Sequence, residues 1–171
     1  MSEHRFLNFA AVPAPSILAF SSQVRSMSIN VPAPLWQVTA ILVARLIFAG
    51  LFIMAAGFKF FGMDATANYI ASAGFPFPLF LAWVAAIFES ILAICFLTGA
   101  FFSEASLLAA AYVLFLAFAF HGPSRWTANQ HEFGFFVDHF TFIAGLLFAA
   151  VNGPGQTLAL SHLPRGVISR S

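Results

Sequence analysis

Residues 38–61 read VTAILVARLIFAGLFIMAAGFKFF, a run long enough to cross a bilayer as one helix, for which about 20 apolar residues suffice. The constraint on the fold lies in one residue of that run. Arg45 stands inside it, where a cation near a helix centre costs roughly 2.5 to 3.5 kcal/mol, so the protein interior has to compensate it. At about 100° per residue, Arg45, Ala49, Phe52, Ala56 and Lys59 fall on one stripe, with Gly50 and Gly57 beside it. Small residues let backbones approach and ionisable ones avoid lipid, so this stripe is expected to face other helices.

The rest of the chain is of the same kind. Its 171 residues are 61% hydrophobic and 8% charged, with a mean hydropathy of +0.91. That composition excludes an ordinary soluble globule and leaves an integral membrane protein of one domain. A formal net charge of +1 without a basic run offers nucleic acid nothing to bind. Cys95 has no second thiol to pair with, so neither an internal disulfide nor a cysteine metal cluster is available, and its expected role is packing.

Residues 1–37 contain Pro13, Pro15, Pro32 and Pro34, and their apolar patch at 6–20 is short and broken by proline. They read as a disordered or surface-lying tail. A signal peptide is the rival, without a clean apolar region ahead of a small-residue cleavage site, and MSINVPAPLW offers Met27 as an alternative start.

Residues 38–155 divide into spans at 38–61, 78–97, 105–120 and 133–151. Between the first two, GMDATANYIASAGFPFP predicts a short interfacial helix capped by Asp64 and ended by Gly74, after which Pro78 launches span two at its first turn. Trp83 is expected towards the outer interface. Gly99 with Ser103 and Glu104 is read as a tight turn, and the HGP at 121–123 stops span three. The shortness of that span predicts an upright helix or one extra turn. Residues 152–155 end span four, and 156–171 form a polar tail. The fold class is therefore all-α: an integral membrane four-helix bundle with a short interfacial helix between spans one and two. Arg5, Arg25, Arg165 and Arg170 flank the bundle at its termini, against Lys59 and Arg125 on the other side. The positive-inside rule then puts both termini in the cytoplasm of a multi-pass protein.

Alternation of the spans sorts the polar residues by depth. Arg45 comes out about 10 Å from the cytoplasmic edge, and Glu89 and Tyr112 about 12 Å from the same edge. A buried Arg45, Glu89 and Tyr112 network is thus expected, each member satisfied by the others as a low dielectric demands. Such a network either fixes helix register or serves a ligand or a proton. At the outer end Lys59, His121, Asp138 and His139 share a layer, which His131 and Glu132 can join from the loop. Lys59 is expected to reach outward to Asp138. Histidines with carboxylates are ligand types for zinc or iron, yet the spacing fits no metal motif, so no metal site is assigned and an interface belt is the plain alternative. Tyr112 and His121 are nine residues apart, half a turn out of phase, so one straight helix is not expected to point both inward. Most of the 24 Phe side chains have to face lipid or fill the bundle, though they also supply material for a pocket that stacks a quinone ring.

From about Ala44 to Gly155 the chain resembles the DoxX family of small bacterial membrane proteins. The resemblance rests on ARLIFAGLFIMAAGFKFFG with Arg45, Gly50, Gly57 and Lys59, on GFPFP at 74–78, and on Glu89 with Gly99. Phe120, His121, Trp126 and the region of Gly145 complete it. Where the family typically opens span four with a Lys-Asn pair, this chain has Asp138 and His139. The resemblance implies a four-helix membrane bundle in the bacterial plasma membrane, with relatives associated with quinone-linked sulfur oxidation or redox-stress complexes. Residues 38–155 are on this reading a DoxX-like membrane domain.

The expected function is that of a membrane subunit of a quinone-linked redox system, non-autonomous because the sequence has no cysteine pair, haem motif or dinucleotide fingerprint. No intrinsic cofactor is expected, and a bound quinone is the one it would take. The implied partners are the bilayer and a membrane or soluble redox protein, with a homo-oligomer left open. The rival is a non-catalytic scaffold or small-solute carrier, in which the same polar groups line a path or hold the bundle.

Overall fold

The computed structural model describes residues 33–127, 129–155 and 157–160; the tail assigned to 1–37 lies outside them up to residue 32, and so does 161–171. Helix α1, Leu35–Phe61, starts three residues before the apolar count suggested, behind Pro34. Gly62 ends it, donating its N–H to the Phe58 carbonyl at 3.0 Å. Helix α2, Met63–Ser72, is the expected short helix. Asp64 lies in its first turn but makes no capping hydrogen bond, since Gly62 holds the cap position; it acts there only through its charge at the helix N-terminus. Gly74 at φ +85° turns the chain away, a conformation that costs glycine nothing.

Helix α3, Pro78–Thr98, carries its proline at the first turn, where the missing N–H has no partner to lose, and closes on Gly99 in the left-handed region. Helix α4, Phe102–His121, begins immediately after Phe101, so Ser103 and Glu104 belong to its first turn rather than to the connection. The extra turn gives span three a length comparable with α3. Gly122 and Pro123 stop it, and a 3₁₀ turn, Pro123–Arg125, follows. Trp126 Nε1–H donates to the His121 carbonyl at 2.8 Å and so satisfies a group the helix end leaves open. Helix α5, Gln130–Asn152, starts at Asn129, whose side chain accepts from the His131 N–H at 3.0 Å. Among the described residues, four of the five α-helices are long and apolar enough to cross a membrane, and the chain is a multi-pass membrane protein.

α1 packs along α3 and α4 along α5, while α2 lies on α3; α3 and α4 touch only sparingly. The buried face of α1 is Arg45, Ala49, Phe52 and Ala56, the stripe read from the sequence. Gly50 and Gly57 do not contribute a close approach, because a Cβ added at either meets nothing within 4 Å. Alanines do that work instead: Ala49, Ala82, Ala86, Ala109 and Ala117 are fully buried, which lets helix backbones come together. Phe96 fills the centre, stacked on Phe52 at 5.6 Å between ring centroids and edge-on to Phe102 at 5.4 Å. Cys95 packs against this cluster, as a lone thiol was expected to. Outward faces of the helices carry large apolar side chains, among them Ile47, Phe58, Phe80 and Phe148, as lipid contact allows.

Candidate functional site

Glu89 sits in the middle of α3, 2% exposed, and its partner is not Arg45. Lys59 Nζ lies 2.8 Å from both carboxylate oxygens, and Tyr112 donates its hydroxyl to Oε1 at 2.8 Å. Oε2 sits within ion-pair distance of the ammonium without a well-aligned hydrogen bond of its own. The reason Lys59 wins is directional. Side chains on a helix lean towards its N-terminus, so Lys59, near the end of α1, points back into the bundle and also donates to the Ala55 carbonyl at 3.4 Å. Its ion pair is with Glu89 and not with Asp138. An outward-reaching Lys59–Asp138 pair is therefore corrected to an inward-reaching Lys59–Glu89 pair, with Tyr112 retained from the expected network.

Arg45 obeys the same rule with the opposite consequence. Its guanidinium leans towards the start of α1 and arrives level with the end of α3, so equal depth of the Cα atoms does not bring it to Glu89. It is 1% exposed and takes carbonyls in place of a carboxylate: Pro154 and Thr157 at 3.1 Å from Nη1, Leu158 at 2.9 Å and Leu97 at 3.4 Å from Nη2. Leu97 belongs to the last turn of α3, where the helix dipole favours a cation. Nε is buried without a hydrogen-bond partner among the described residues. Gly99 and Gly155 complete the junction: a Cβ at Gly99 would lie 3.0 Å from Ala159, and one at Gly155 2.9 Å from Ile41. Arg45 thus ties the chain after α5 to the ends of α1 and α3.

Beyond Lys59 a cavity of about 770 Å³ opens between α1, α2, α3 and α4. Its walls are largely apolar and aromatic, including Phe75, Phe88, Phe115 and Phe120, with the polar groups of Lys59, Tyr112, His121 and His139 among them. Phe58, Val84 and Phe115 line it and are 70%, 46% and 52% exposed, so the cavity is open rather than enclosed. Tyr112 and His121 both reach it despite their phase difference along α4, because the cavity is broad and His121 ends the helix. α2 contributes Thr66, Tyr69 and Ile70, a face the sequence reading did not use, although its three-and-four spacing was there to be seen. Tyr69 stacks on Phe120 at 5.0 Å and 17°. Burial, and after it the charge of Glu132, pushes the Tyr69 phenol above its ordinary range, with Arg125 opposing.

The histidines form a line at one side of this cavity. His121 Nδ1 lies 2.6 Å from Glu132 Oε2, so Glu132 does join the cluster, from the first turn of α5 rather than from a loop. The His121 and His139 rings are 5.1 Å apart between centroids. His139 Nδ1 is 2.6 Å from the Phe135 carbonyl; a carbonyl only accepts, so that nitrogen carries the proton and Nε2 is left as the acceptor in the neutral ring. His131 is exposed and takes no part. Because α5 starts at Gln130, Asp138 and His139 lie more than two turns inside it, about 12 Å along the axis, deeper than a span beginning at Phe133 implied. Both line a second cavity with Glu89 and Tyr112. Among the described residues no three His, Cys, Asp or Glu side chains converge as metal ligands do.

Compared with known families, residues 40–122 match DoxX, a stretch that takes in most of α1, all of α2, α3 and α4, and stops before α5. No curated protein and no solved structure matches the chain.

Proposed function

We propose, from the match of residues 40–122 to DoxX, that this membrane protein is a subunit of a quinone-linked redox system, working with a protein that donates or accepts the electrons. The observation that carries this reading is the cavity of about 770 Å³ beside Lys59 and Tyr112. Its size is within the roughly 300 to 1,000 Å³ of small-molecule sites, and its apolar wall with a few polar groups is their usual composition. Its place among spans that cross the membrane suits a ligand that arrives from lipid. A quinone fits on these grounds: Phe88, Phe115 and Phe120 offer ring contact, and the Lys59 ammonium, with three hydrogens, keeps one for a carbonyl oxygen beyond those it gives to Glu89 and Ala55. Bound there, a quinone supplies the capacity to accept or release two electrons with two protons.

The chain's own residues do the rest. Glu89 holds the Lys59 ammonium and the Tyr112 hydroxyl at the cavity wall, and His139 offers a ring nitrogen as acceptor beside His121 and its partner Glu132. Histidine exchanges protons near neutral pH, which is the property a site of this chemistry uses. The reading includes a bacterial plasma-membrane location with both termini cytoplasmic, supported by Arg5, Arg25, Arg165 and Arg170 at the terminal side.

The test is extraction of lipid from the purified protein, followed by titration with a short-chain ubiquinone. Bound quinone in the extract and saturable binding that Tyr112→Phe and His121→Gln each weaken at unchanged protein level are the expected results. Quinone absent from active material, with no saturable binding, favours the scaffold or solute-carrier reading instead.

A further inference from the structure

The second cavity, about 650 Å³, lies between α1 and α5, two helices that touch each other little. Asp138 is on its wall. That carboxyl group stands inside the span Gln130–Asn152, is exposed, and among the described residues has neither an ion pair nor a side-chain hydrogen bond. Ionisable groups at membrane depth are paired or face a pathway, because lipid solvates them poorly. Among the described residues no Lys or Arg pairs with it: Lys59 is committed to Glu89, so those two charges cancel, and Asp138 remains as the uncompensated formal charge of the cleft lining.

The remaining wall is aromatic. Phe142 lies 5.4 Å from Phe48 and 5.9 Å from Phe52 between ring centroids, and all three line the cleft. A cleft lined by both a carboxylate and aromatic rings offers a cation two kinds of attraction, to the negative charge and to the ring quadrupoles. A metal ion is disfavoured because Glu89 and Tyr112 are committed to each other and to Lys59, and the Asp138 carboxylate with the Thr141 hydroxyl falls short of the six or more oxygens a hard cation collects. An anion would meet Asp138 unscreened. A concave space of this volume suits a compact small molecule better than a flat helix face.

We propose that the cleft between α1 and α5 is a binding site for a lipophilic organic cation, with Asp138 as its counter-ion and Phe48, Phe52 and Phe142 as its aromatic walls. This site is distinct in ligand charge from the quinone cavity, and it stands whether or not that cavity holds a quinone. It also gives the wall shared by the two cavities, Ala55, Tyr112, Leu116 and His139, a ligand on either side.

The experiment uses the full chain purified in a neutral detergent and titrates it calorimetrically with tetraphenylphosphonium, with uncharged triphenylphosphine oxide as the control for simple apolar partitioning. Saturable binding of the cation with one site per chain is expected, at least tenfold tighter than the control. Asp138→Asn is expected to lose at least tenfold in affinity and Asp138→Glu to keep most of it. Should Asp138→Asn fail to fold, Thr141→Phe, which fills the exposed cleft wall and keeps the carboxylate, is expected to abolish binding. The proposal is overturned if the parent does not bind tetraphenylphosphonium, if the neutral control binds as well, or if folded Asp138→Asn or Thr141→Phe binds like the parent. Binding of a partner helix through Asp138, with no response to the small cation, is one of those overturning results.

Discussion

Glu89→Gln removes one charge and little else: the amide has the same shape and its oxygen can still accept from the Tyr112 hydroxyl, whereas the Lys59 ammonium loses its counter-charge and one of the two oxygens that now lie 2.8 Å away. Breaking a buried ion pair by deleting one member costs about 3 to 5 kcal/mol, because the other charge stays desolvated. The structure decides where in that range each variant falls. Lys59 keeps 20% of its side chain exposed and retains the Ala55 carbonyl, so Glu89→Gln is expected near 3 kcal/mol. Lys59→Met strands a carboxylate that is only 2% exposed, which puts it near 5 kcal/mol. The double variant has no stranded charge and is expected to cost no more than Lys59→Met alone, a coupling of at least about 3 kcal/mol. Equilibrium unfolding by dodecyl sulfate in mixed micelles, followed by helical circular dichroism, measures all three. Arg45→Gln with Glu89→Gln forms the control cycle, and the two effects are expected to add within about 0.5 kcal/mol, since the residues do not meet. Additive effects of Lys59 and Glu89, or coupling that appears only between Arg45 and Glu89, would refute this assignment of partners.

Arg45→Met frees the carbonyls of Pro154, Thr157 and Leu158; faster proteolysis within 154–160, at unchanged helix content, is the expected outcome in a limited-digestion time course. Gly99→Ala forces a Cβ into φ +70° and to within 3.0 Å of Ala159, and a loss of more than about 1 kcal/mol is expected in the same unfolding assay. Phosphatase and fluorescent-protein fusions at Ser171 report topology: fluorescence with an inactive phosphatase is expected for a cytoplasmic C-terminus, and the reverse pattern would overturn the orientation.

The spans, the short helix between the first two, and the inward stripe of α1 were legible because hydropathy and the helical repeat are local properties of the chain. Arg45, Ala49, Phe52 and Ala56 could be named as buried without knowing what buried them. Tyr112 could be placed with Glu89 because both stand near the middle of their helices and have short reach. The same arithmetic misassigned Lys59 and Arg45. Cα depth ignores that a long side chain displaces its charge by about a helical turn, always towards the N-terminus of its own helix. Asp138 was misplaced for a different reason: Asn129 caps α5 and adds a turn before the apolar run begins, so residues taken for the mouth of the helix lie inside it.

What the sequence determined by itself is a four-span helical membrane protein with an ionisable inner face, since the free energy of placing each residue in lipid or water depends on that residue and its neighbours along the helix. Which charges meet was decided by the tertiary structure. Lys59 meets Glu89 because α1 packs on α3, Arg45 is satisfied because the chain beyond α5 returns beneath it, and Asp138 is left facing a cleft because α1 and α5 stay apart. Electrostatic compensation in a low dielectric is short-ranged and directional, so it is settled by contacts of a few ångströms that hydropathy along the chain does not encode.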